Sequence, residues 1–271
     1  MKTVVITGAA GILCSGFAKT LAADGNKVAL VGIKEDELIE LQREIAGEGY
    51  ISNYYVADVT DEESMKRVHD KILEDFGGCD ILINGAGGNH PSATTEEEYI
   101  NLTPDDTKKD FFSLDKKGFS FVFDLNLWGT VLPCQIFAKD MAEKGEGCIL
   151  NISSMAAFSP LTKTPAYCAA KAGISNFTQW LSVHLAPAGI RVNAIAPGFF
   201  ITTQNKALLI KENGEFSKRA EKIIRNTPMK RFGEPSELIG AVKFLLDNEN
   251  AGFITGCVLP IDGGFSAYSG V

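Results

Sequence analysis

The feature that most constrains this fold is a regular alternation of short apolar runs with longer amphipathic stretches. The apolar runs are rich in Val and Ile and cover residues 3–7, 27–31, 52–57, 81–84, 148–152, 191–196 and 257–260. The amphipathic stretches have helical length and cover residues 16–24, 35–48, 62–76, 123–144, 166–185 and 235–246. Continuous apolar runs are typical of strands buried on both faces. The alternation therefore predicts an α/β fold, a doubly wound and mostly parallel sheet with helices on both faces.

Composition excludes several other classes of protein. Of the 271 residues, 45% are hydrophobic and 22% are charged, which is too apolar for a disordered chain. The net charge of −8, with no concentrated basic patch, disfavours a nucleic acid partner. No apolar run reaches the roughly 18 residues that cross a bilayer, and we expect no leader segment. These observations predict a cytoplasmic protein with no membrane contact, folded as one domain over residues 1–271.

Two stretches interrupt the alternation. Residues 87–118 are polar and acidic, and residues 202–231 carry mixed charge. Long connections at the carboxyl ends of strands are where ligands bind in a doubly wound sheet, and structureless loops of this length are uncommon unless functional. We therefore expect a polar insertion at 87–118 and a substrate-covering segment at 202–231.

The first predicted strand ends in a glycine-rich turn that leads into a helix. Such a turn lets backbone N–H groups approach a pyrophosphate, and the helix N-terminus favours the same anion. The spacing is not GxGxxG, so an ordinary tight turn is an equally good reading of the turn alone. Its position in the first strand–helix unit favours dinucleotide binding. The candidate residues here are Thr7, Gly8, Gly11, Leu13 and Cys14.

The ends of the next three strands carry further candidate cofactor residues. No carboxylate follows the second strand to hold the ribose of NAD, and Lys34 could reach the 2′-phosphate of NADP, so the choice between NAD and NADP stays open. Lys34 could equally be a solvated residue at the start of a helix. Asp58, next to Val59, could accept a hydrogen bond from the adenine amino group. The fourth strand ends in Asn84, Gly85 and Ala86, whose small side chains would let the backbone pass against the cofactor, although glycine turns at strand ends are also ordinary.

A second group of residues has the chemistry of an acid–base site. Tyr167 and Lys171 lie four residues apart, on one helix face, and a nearby ammonium favours the phenolate form of a tyrosine. Ser154 follows the buried strand 148–152 and could point into the same crevice; Ser153 competes with it as a strand-end cap. Asn126 is a polar residue in an apolar helix, and its amide could order a water beside Lys171. Each of these residues alone has an ordinary structural interpretation.

Taken together, these motifs resemble the short-chain dehydrogenase/reductase family over essentially the whole chain. The resemblance rests on TGxxG after the first strand, NxAG after the fourth, and Asn126, Ser154, Tyr167, Lys171, Pro197 and Gly198. It implies a Rossmann-type fold and NAD(P)-dependent oxidation of an alcohol, with Tyr167 as general acid/base and Ser154 bonded to the substrate oxygen. It also implies that Lys171 binds the nicotinamide ribose, Asn126 holds a relay water, and Phe200 and Thr202 hold the nicotinamide carboxamide.

The glycine loop departs from the family's usual TGxxxGxG. Cys14 stands where the last glycine would be, and the middle glycine comes one place early at Gly11. This loop, with residues 87–91, 123–126 and 262–271, is similar to the D-mannonate oxidoreductase (fructuronate reductase) branch of the family. The similarity implies a sugar-acid substrate, NAD(H) and a homotetramer, in which the apolar tail 265–271 would pack at an interface. We expect bound dinucleotide to protect Cys14 from alkylation and the other five cysteines to be reduced core residues, none binding a metal.

The substrate contacts are the least determined part of the sequence. Asn89 and His90 follow the fourth strand and could bond sugar hydroxyls, although His90 could equally have no role. A substrate carboxylate needs a cation, which Lys163, Lys206 or Arg231 could supply, Arg231 being more easily read as half of a structural ion pair. Besides a sugar-acid reductase, a dehydrogenase of another aldonate or polyol, such as gluconate 5-dehydrogenase, fits the motifs. A dinucleotide-sensing module without turnover is the alternative of another class, and the presence of the complete acid–base set argues against it.

Overall fold

The structure is a computed structural model that describes residues 1–101, 108–202 and 209–270. Within these ranges one sheet contains seven strands, β1 (Thr3–Thr7), β2 (Lys27–Gly32), β3 (Ser52–Val56), β4 (Ile81–Asn84), β5 (Gly147–Ile152), β6 (Ile190–Pro197) and β7 (Val258–Ile261). The strand order is β3-β2-β1-β4-β5-β6-β7, and every pair is parallel. The direction of winding reverses between β1 and β4. A crevice at such a reversal, beyond the carboxyl ends of the strands, is the usual ligand site of this architecture.

Helices cover both faces of the sheet. They are α1 (Ile12–Ala23), α2 (Glu35–Gly47), α3 (Glu62–Phe76), α4 (Lys116–Phe123), α5 (Gly129–Lys144), α6 (Pro165–Leu185), α7 (Lys218–Asn226) and α8 (Ile239–Leu246). Along β1, Val4 and Ile6 join the core with α1, α2 and α8, whereas Val5 joins the core with α3 and α5. All three side chains are fully buried, as expected of a strand covered on both faces. The predicted doubly wound sheet is therefore confirmed.

The helices differ from the predicted ones mainly near the ligand end of the sheet. α1 begins at Ile12, four residues earlier than predicted, so its first turn lies directly beside the glycine turn. The predicted helix 123–144 is preceded by α4 and joined to it by a π-helical turn, Asp124–Trp128. The segment 202–231 contains α7, which the sequence reading missed because α7 is short and strongly charged; the Ser217 side chain caps it.

Several contacts tie the described part of the insertion 87–118 to the rest of the molecule. Ala93, in a short 3₁₀ turn, is buried together with Ala166 of α6. The Thr95 N–H donates to the Lys163 carbonyl oxygen at 2.9 Å. Glu98 pairs with Lys222 of α7, which links the insertion to the second interrupted stretch. Residues 102–107 and 203–208, including the candidate cation Lys206, lie outside the described residues.

Of the helices in the described ranges, only the continuous stretch Lys116–Lys144 is long and apolar enough to span a bilayer. Its most apolar window is 56% buried inside the protein, as expected of a core helix. The apolar character of this stretch is explained by its packing, because α5 lies against β4 and β5 of the sheet and α4 lies against α6.

Candidate active site

The turn between β1 and α1 forms a cradle of the kind that a dinucleotide needs. Gly8 has a φ of 62°, and a Cβ at this position would lie 2.8 Å from the Ala86 nitrogen, so the turn packs directly on the chain that leaves β4. The buried Thr7 hydroxyl fixes this contact by accepting hydrogen bonds from the Gly85 and Ala86 N–H groups. Gly11 precedes α1 and offers no side-chain cap. The N–H groups of the first turn, which includes the half-buried Leu13, are therefore able to bind an anion. These residues fit a dinucleotide diphosphate.

Cys14 does not present its thiol to this cradle. The side chain is 4% exposed, and a Cβ at Gly85 would lie 2.1 Å from its sulfur, so the sulfur fills the space that a side chain at position 85 would need. Burial raises the pKa of the Cys14 thiol to about 12, which makes the thiolate scarce. Both properties count against the expectation that Cys14 is an alkylation target protected by dinucleotide, which stays a prediction. The expectation for Cys257 also needs correction, because this cysteine is only half-buried while the other five are core residues.

The residues around Lys34, where the adenosine end of a dinucleotide is expected, carry more negative than positive charge. The Lys34 ammonium lies 2.6 Å from a carboxylate oxygen of Glu37, one turn into α2. Glu35 and Asp36 add two more negative charges to the same first turn. Asp58, exposed after β3, accepts two hydrogen bonds at 2.8 Å from the N–H and hydroxyl of Thr60 through one oxygen. Lys34 is thus neutralised locally.

Two further predicted cofactor residues have buried side chains, so they could reach a cofactor only through their backbones. Asn84 donates to the Asn151 side-chain oxygen at 2.9 Å and to the Cys134 sulfur at 3.1 Å, inside the core. Val59 is 4% exposed and packs on Gly129, where a Cβ would approach it to 2.7 Å. Both side chains instead belong to the packing against α5.

Ser154 and Tyr167 are brought together at the carboxyl end of β5. Ser154 follows the strand, and its hydroxyl hydrogen-bonds the Tyr167 side chain. Burial raises the pKa of Tyr167, and the bond to Ser154 opposes this rise without cancelling it. We expected Lys171 to favour the phenolate, but in this structure the loss of hydration is the largest effect on the pKa of Tyr167. Tyr167 is therefore protonated at neutral pH and able to act as an acid.

Lys171 lies one turn further along α6 and is 5% exposed. Its Nζ is 5.7 Å from the centre of the Tyr167 ring and donates to the Ile152 carbonyl oxygen at 2.8 Å. Burial lowers the pKa of Lys171 to about 8. A Cβ at Gly87 would lie 3.2 Å from this Nζ, so the ammonium also borders the glycine segment after β4. Lys171 thus stands between the proton donor and the cofactor side of the crevice.

Asn126 sits in the π-helical turn, a feature that often marks functional sites. Its Nδ2 donates to the Gly88 and Val122 carbonyl oxygens at 2.7 and 2.8 Å, and its Oδ1 accepts from the Gly88 N–H at 3.1 Å. Both amide donors are engaged, so a relay water could use only the second lone pair of Oδ1. A Cβ at Gly87 would be 2.8 Å from that oxygen, which places Oδ1 on the Lys171 side of the loop. The amide thus positions the loop after β4.

The segment after β6 begins with tight backbone packing. Pro197 ends the strand, and a Cβ at Gly198 would lie 2.6 Å from the Asp262 Cα. Phe200 is 7% exposed and forms an isolated bridge with Gly233. The half-buried Thr202 is the last described residue before the gap at 203–208. The backbone here is anchored, and its contact with a nicotinamide stays a prediction.

The predicted substrate residues differ in how they are held. The exposed Asn89 donates through Nδ2 to the Thr94 hydroxyl at 2.9 Å. His90 accepts through Nδ1 from the Ser92 N–H at 3.2 Å and lies 4.7 Å from the Phe121 ring. Because Nδ1 is an acceptor, the neutral ring carries its proton on Nε2, which has no protein partner among the described residues. Nε2 is therefore available as a hydrogen-bond donor.

The two candidate cations within the described residues are not equivalent. Arg231 forms two bonds of 2.7 Å to the Glu237 carboxylate, so it is the structural ion pair that its sequence context favoured. Lys163 donates at 2.6 Å to the Glu96 carbonyl oxygen. No carboxylate of the described residues lies within ion-pair distance of Lys163.

Comparisons with known proteins agree with this geometry. The family model described as enoyl-(acyl carrier protein) reductase, adh_short_C2, matches residues 8–266. The chain belongs to the short-chain dehydrogenase/reductase family and has its Rossmann-type fold. It is 52% identical to a Haemophilus influenzae protein described as a "putative D-mannonate oxidoreductase" with bound NAD, with a TM-score of 0.96 over 100% of this chain and 96% of that one.

Two other relatives extend the comparison. An uncharacterized oxidoreductase of Bacillus subtilis, UxuB, is 48% identical over 100% of this chain and 96% of its own. A xylitol dehydrogenase with bound NAD⁺ is 28% identical, with a TM-score of 0.84 over 97% of this chain and 98% of its own. The protein is therefore an oxidoreductase that uses a nicotinamide dinucleotide.

Proposed function

We propose that the protein interconverts D-mannonate and D-fructuronate, using NAD(H). The observation that carries the reaction type is the cluster of Ser154, Tyr167 and Lys171 at the end of β5, facing the dinucleotide cradle. The similarity to the Haemophilus influenzae protein supports the substrate. The polar insertion 87–118, next to this cluster, suits a substrate with several hydroxyl groups.

The side chains divide the proton chemistry among them. A bound dinucleotide supplies or accepts the hydride. In ketone reduction, Tyr167 donates its proton to the substrate oxygen, and its raised pKa keeps that proton in place at neutral pH. The Ser154 hydroxyl holds the same oxygen. Lys171, charged below about pH 8, stabilises the phenolate that forms when the proton leaves.

The charge around α2 supports NAD rather than NADP. A 2′-phosphate would meet Glu35, Asp36 and Glu37 in the first turn of the helix, and Lys34, which precedes this turn, is already paired with Glu37. Introducing a phosphate of charge near −2 beside three carboxylates costs free energy through like-charge repulsion. We expect the ratio of kcat/KM to favour NADH by at least about tenfold, since each 1.36 kcal/mol corresponds to a factor of ten.

For the substrate itself, we assign Lys163 to the carboxylate and the His90 Nε2–H to a hydroxyl group. Lys163 has no carboxylate of the described residues within ion-pair distance, although its charge acts on Glu97 from further away, whereas Arg231 is held by Glu237. The turn that carries His90 is fixed against α6 through buried Ala93. A matched pair of variants, Lys163→Met and Arg231→Met, should separate the two cations, with only the first raising KM for a sugar acid.

A dehydrogenase of another aldonate or polyol, such as gluconate 5-dehydrogenase, is the second candidate. The similarity to a xylitol dehydrogenase over nearly the whole chain supports it. A spectrophotometric screen of D-fructuronate, D-tagaturonate and 5-ketogluconate, with NADH and NADPH in parallel, decides between the two. Greatest kcat/KM with D-fructuronate and NADH supports our proposal. Tight dinucleotide binding without turnover of any carbonyl compound would instead support a sensing module.

We also propose a cytoplasmic homotetramer. On α6, Trp180 and Val183 are 58% and 76% exposed, an apolar pair that a second copy of the chain would cover. Light scattering gives the mass of the assembly directly. A monomeric mass would refute this part of the proposal.

A further inference from the structure

Two hydroxyl groups outside the acid–base cluster meet at the Lys171 backbone. Ser153 immediately follows β5 and is 2% exposed, and Ser175 lies one turn after Lys171 on α6. The two side-chain oxygens are 2.7 Å apart. The Ser153 hydroxyl lies 3.1 Å from the Lys171 carbonyl oxygen, and the Ser175 hydroxyl lies 3.3 Å from it.

Hydrogen-bond counting shows how the pair works. Each hydroxyl has one proton, so one serine donates to the Lys171 carbonyl while the other donates to the first serine. The shorter distance favours Ser153 as the donor to the carbonyl. Ser175 can take over that bond if Ser153 is lost. The pair is therefore a redundant clamp on one carbonyl oxygen.

The clamp acts together with the bond at the other end of the lysine. The Nζ of Lys171 donates to the Ile152 carbonyl oxygen at 2.8 Å, and Ser153 is the next residue of the chain. Consecutive residues at the end of β5 thus hold both the backbone and the ammonium of Lys171. The Ser153 N–H in turn donates to the Ile195 carbonyl oxygen of β6 at 2.8 Å, so the clamp is attached to the sheet.

We propose that Ser153 and Ser175 are positioning residues that set where the Lys171 ammonium stands relative to Tyr167. Neither serine needs to touch substrate. Because proton transfer depends on sub-ångström placement of the participating groups, a clamp on the lysine backbone affects turnover through geometry. This inference rests on the proposed function insofar as Lys171 assists catalysis.

The same helix offers a matched control. Ser182 is 3% exposed, and its hydroxyl donates to the Gln179 carbonyl oxygen at 2.7 Å within α6. Ser182→Ala therefore removes a buried hydroxyl from α6 without touching β5 or Lys171. A loss common to this variant and the clamp variants would be structural.

The first experiment compares steady-state kinetics of Ser153→Ala, Ser175→Ala, the double variant and Ser182→Ala. The single variants should stay within about threefold of wild-type kcat, because either hydroxyl can hold the carbonyl, whereas the double variant should lose about tenfold. Ser153→Thr combined with Ser175→Ala keeps one hydroxyl and should therefore have the kcat of the single variants, not that of the double alanine variant. A double variant within twofold of wild type, or an equal loss in Ser182→Ala, would overturn the proposal.

The pH profile adds a readout that a purely structural role would not move. The titratable groups that face Lys171 are Tyr167 on its own helix and Cys14 on α1. Loss of both serine hydroxyls should loosen the bond from the Lys171 Nζ to the Ile152 carbonyl oxygen, which stabilises the charged ammonium. The pKa of Lys171 should then fall, so the alkaline limb of the kcat profile should move to lower pH in the double variant. An unchanged limb would count against the clamp.

A measurement without turnover separates this inference from the proposed function. In lysine-¹⁵N-labelled protein, the Nζ resonance of Lys171, assigned from Lys171→Met, reports its titration directly. We expect a midpoint near pH 8 in the wild type and a lower one in the double variant. If the wild type turns over no carbonyl compound, the proposed function fails, and this titration alone decides the clamp: equal midpoints refute it.

Discussion

The contact between Cys14 and Gly85 allows a sharp test of how this cofactor cradle is built. Gly85→Ala would place a methyl group 2.1 Å from the Cys14 sulfur and 2.9 Å from the Thr7 carbonyl oxygen. Neither distance is tolerated without movement, and the first is far too short. Overpacking of a core typically costs about 1–3 kcal/mol. We expect Gly85→Ala to lie in the upper part of that range.

Removing the sulfur should relieve most of this cost. In a Cys14→Ala background, the new methyl group would have the Cβ at position 14 as its neighbour at 3.6 Å, an ordinary van der Waals distance. The contact with the Thr7 oxygen would remain. Cys14→Ala alone should cost about 1 kcal/mol for the small cavity that it leaves. The coupling free energy between the two positions should therefore be about 1–2 kcal/mol, with the double variant more stable than the sum of the single effects predicts.

Thermal unfolding of the wild type, both single variants and the double variant provides the assay. In a chain of this size, 1 kcal/mol corresponds to roughly 2–4 °C in Tm, so a coupling of this size is measurable. NADH titration should show weaker binding in Gly85→Ala, because Gly85 adjoins the tight contact of Gly8 with Ala86. If Gly85→Ala lowers Tm equally in both backgrounds, the sulfur does not occupy the space at position 85, and the account of this loop is wrong.

Three other perturbations have expected outcomes. Tyr167→Phe should reduce turnover by at least about 100-fold, the size of a general acid–base contribution, while NADH fluorescence titration gives a nearly unchanged Kd; wild-type turnover would refute the acid role. Glu98→Lys should raise KM for the substrate, because it breaks the pair with Lys222 that joins the two covering segments, and adding Lys222→Glu should restore it; no restoration would show that the pair is not what matters. The hydrogen bond to Asp140 raises the pKa of His69, so its stabilisation is complete below about pH 6.5 and is lost as the pH rises through the raised pKa. His69→Gln should remove this decline in Tm, by an amount equivalent to about 1 kcal/mol, and parallel Tm profiles would contradict it.

The sheet was predictable because its determinants are local and repeated. Each strand except the edge strands is a mainly apolar run, and both faces of β1 are buried, as that pattern requires. β1 and β4 have the predicted bounds, β2, β3 and β5 differ by one residue at one end, and β6 and β7 differ by one residue at each end. The helix boundaries were less accurate where capping and tertiary contacts decide them. α7 shows this clearly, since it has only nine residues, its sequence is strongly charged, and its start depends on the Ser217 cap.

The residue types at the candidate site were also predictable, but their orientations were not. Sequence spacing favoured Ser154 over Ser153, and the structure places Ser154 against Tyr167 and Ser153 against the Lys171 backbone. Nothing in the spacing indicated the second arrangement, because it depends on the register between β5 and α6. The orientation of Cys14 is a similar case. A signal did exist in the sequence, since the variable position of NxAG is a glycine, Gly85, in a chain that has Cys14 in the glycine loop. Only the structure shows that the missing side chain at Gly85 makes room for the Cys14 sulfur.

Protonation is the property that sequence motifs describe least well. A tyrosine four residues before a lysine suggests a phenolate stabilised by an ammonium, yet burial acts on both groups and shifts both toward their neutral forms. Tyr167 therefore starts as an acid, and Lys171 changes charge near pH 8 instead of remaining a fixed cation. Carbonyl reduction should consequently weaken as the pH rises through that range, because the phenolate left by proton donation then loses its neighbouring charge. A reduction rate that stays constant well above pH 8 would mean that the ammonium is held charged by a bond stronger than the one to the Ile152 carbonyl.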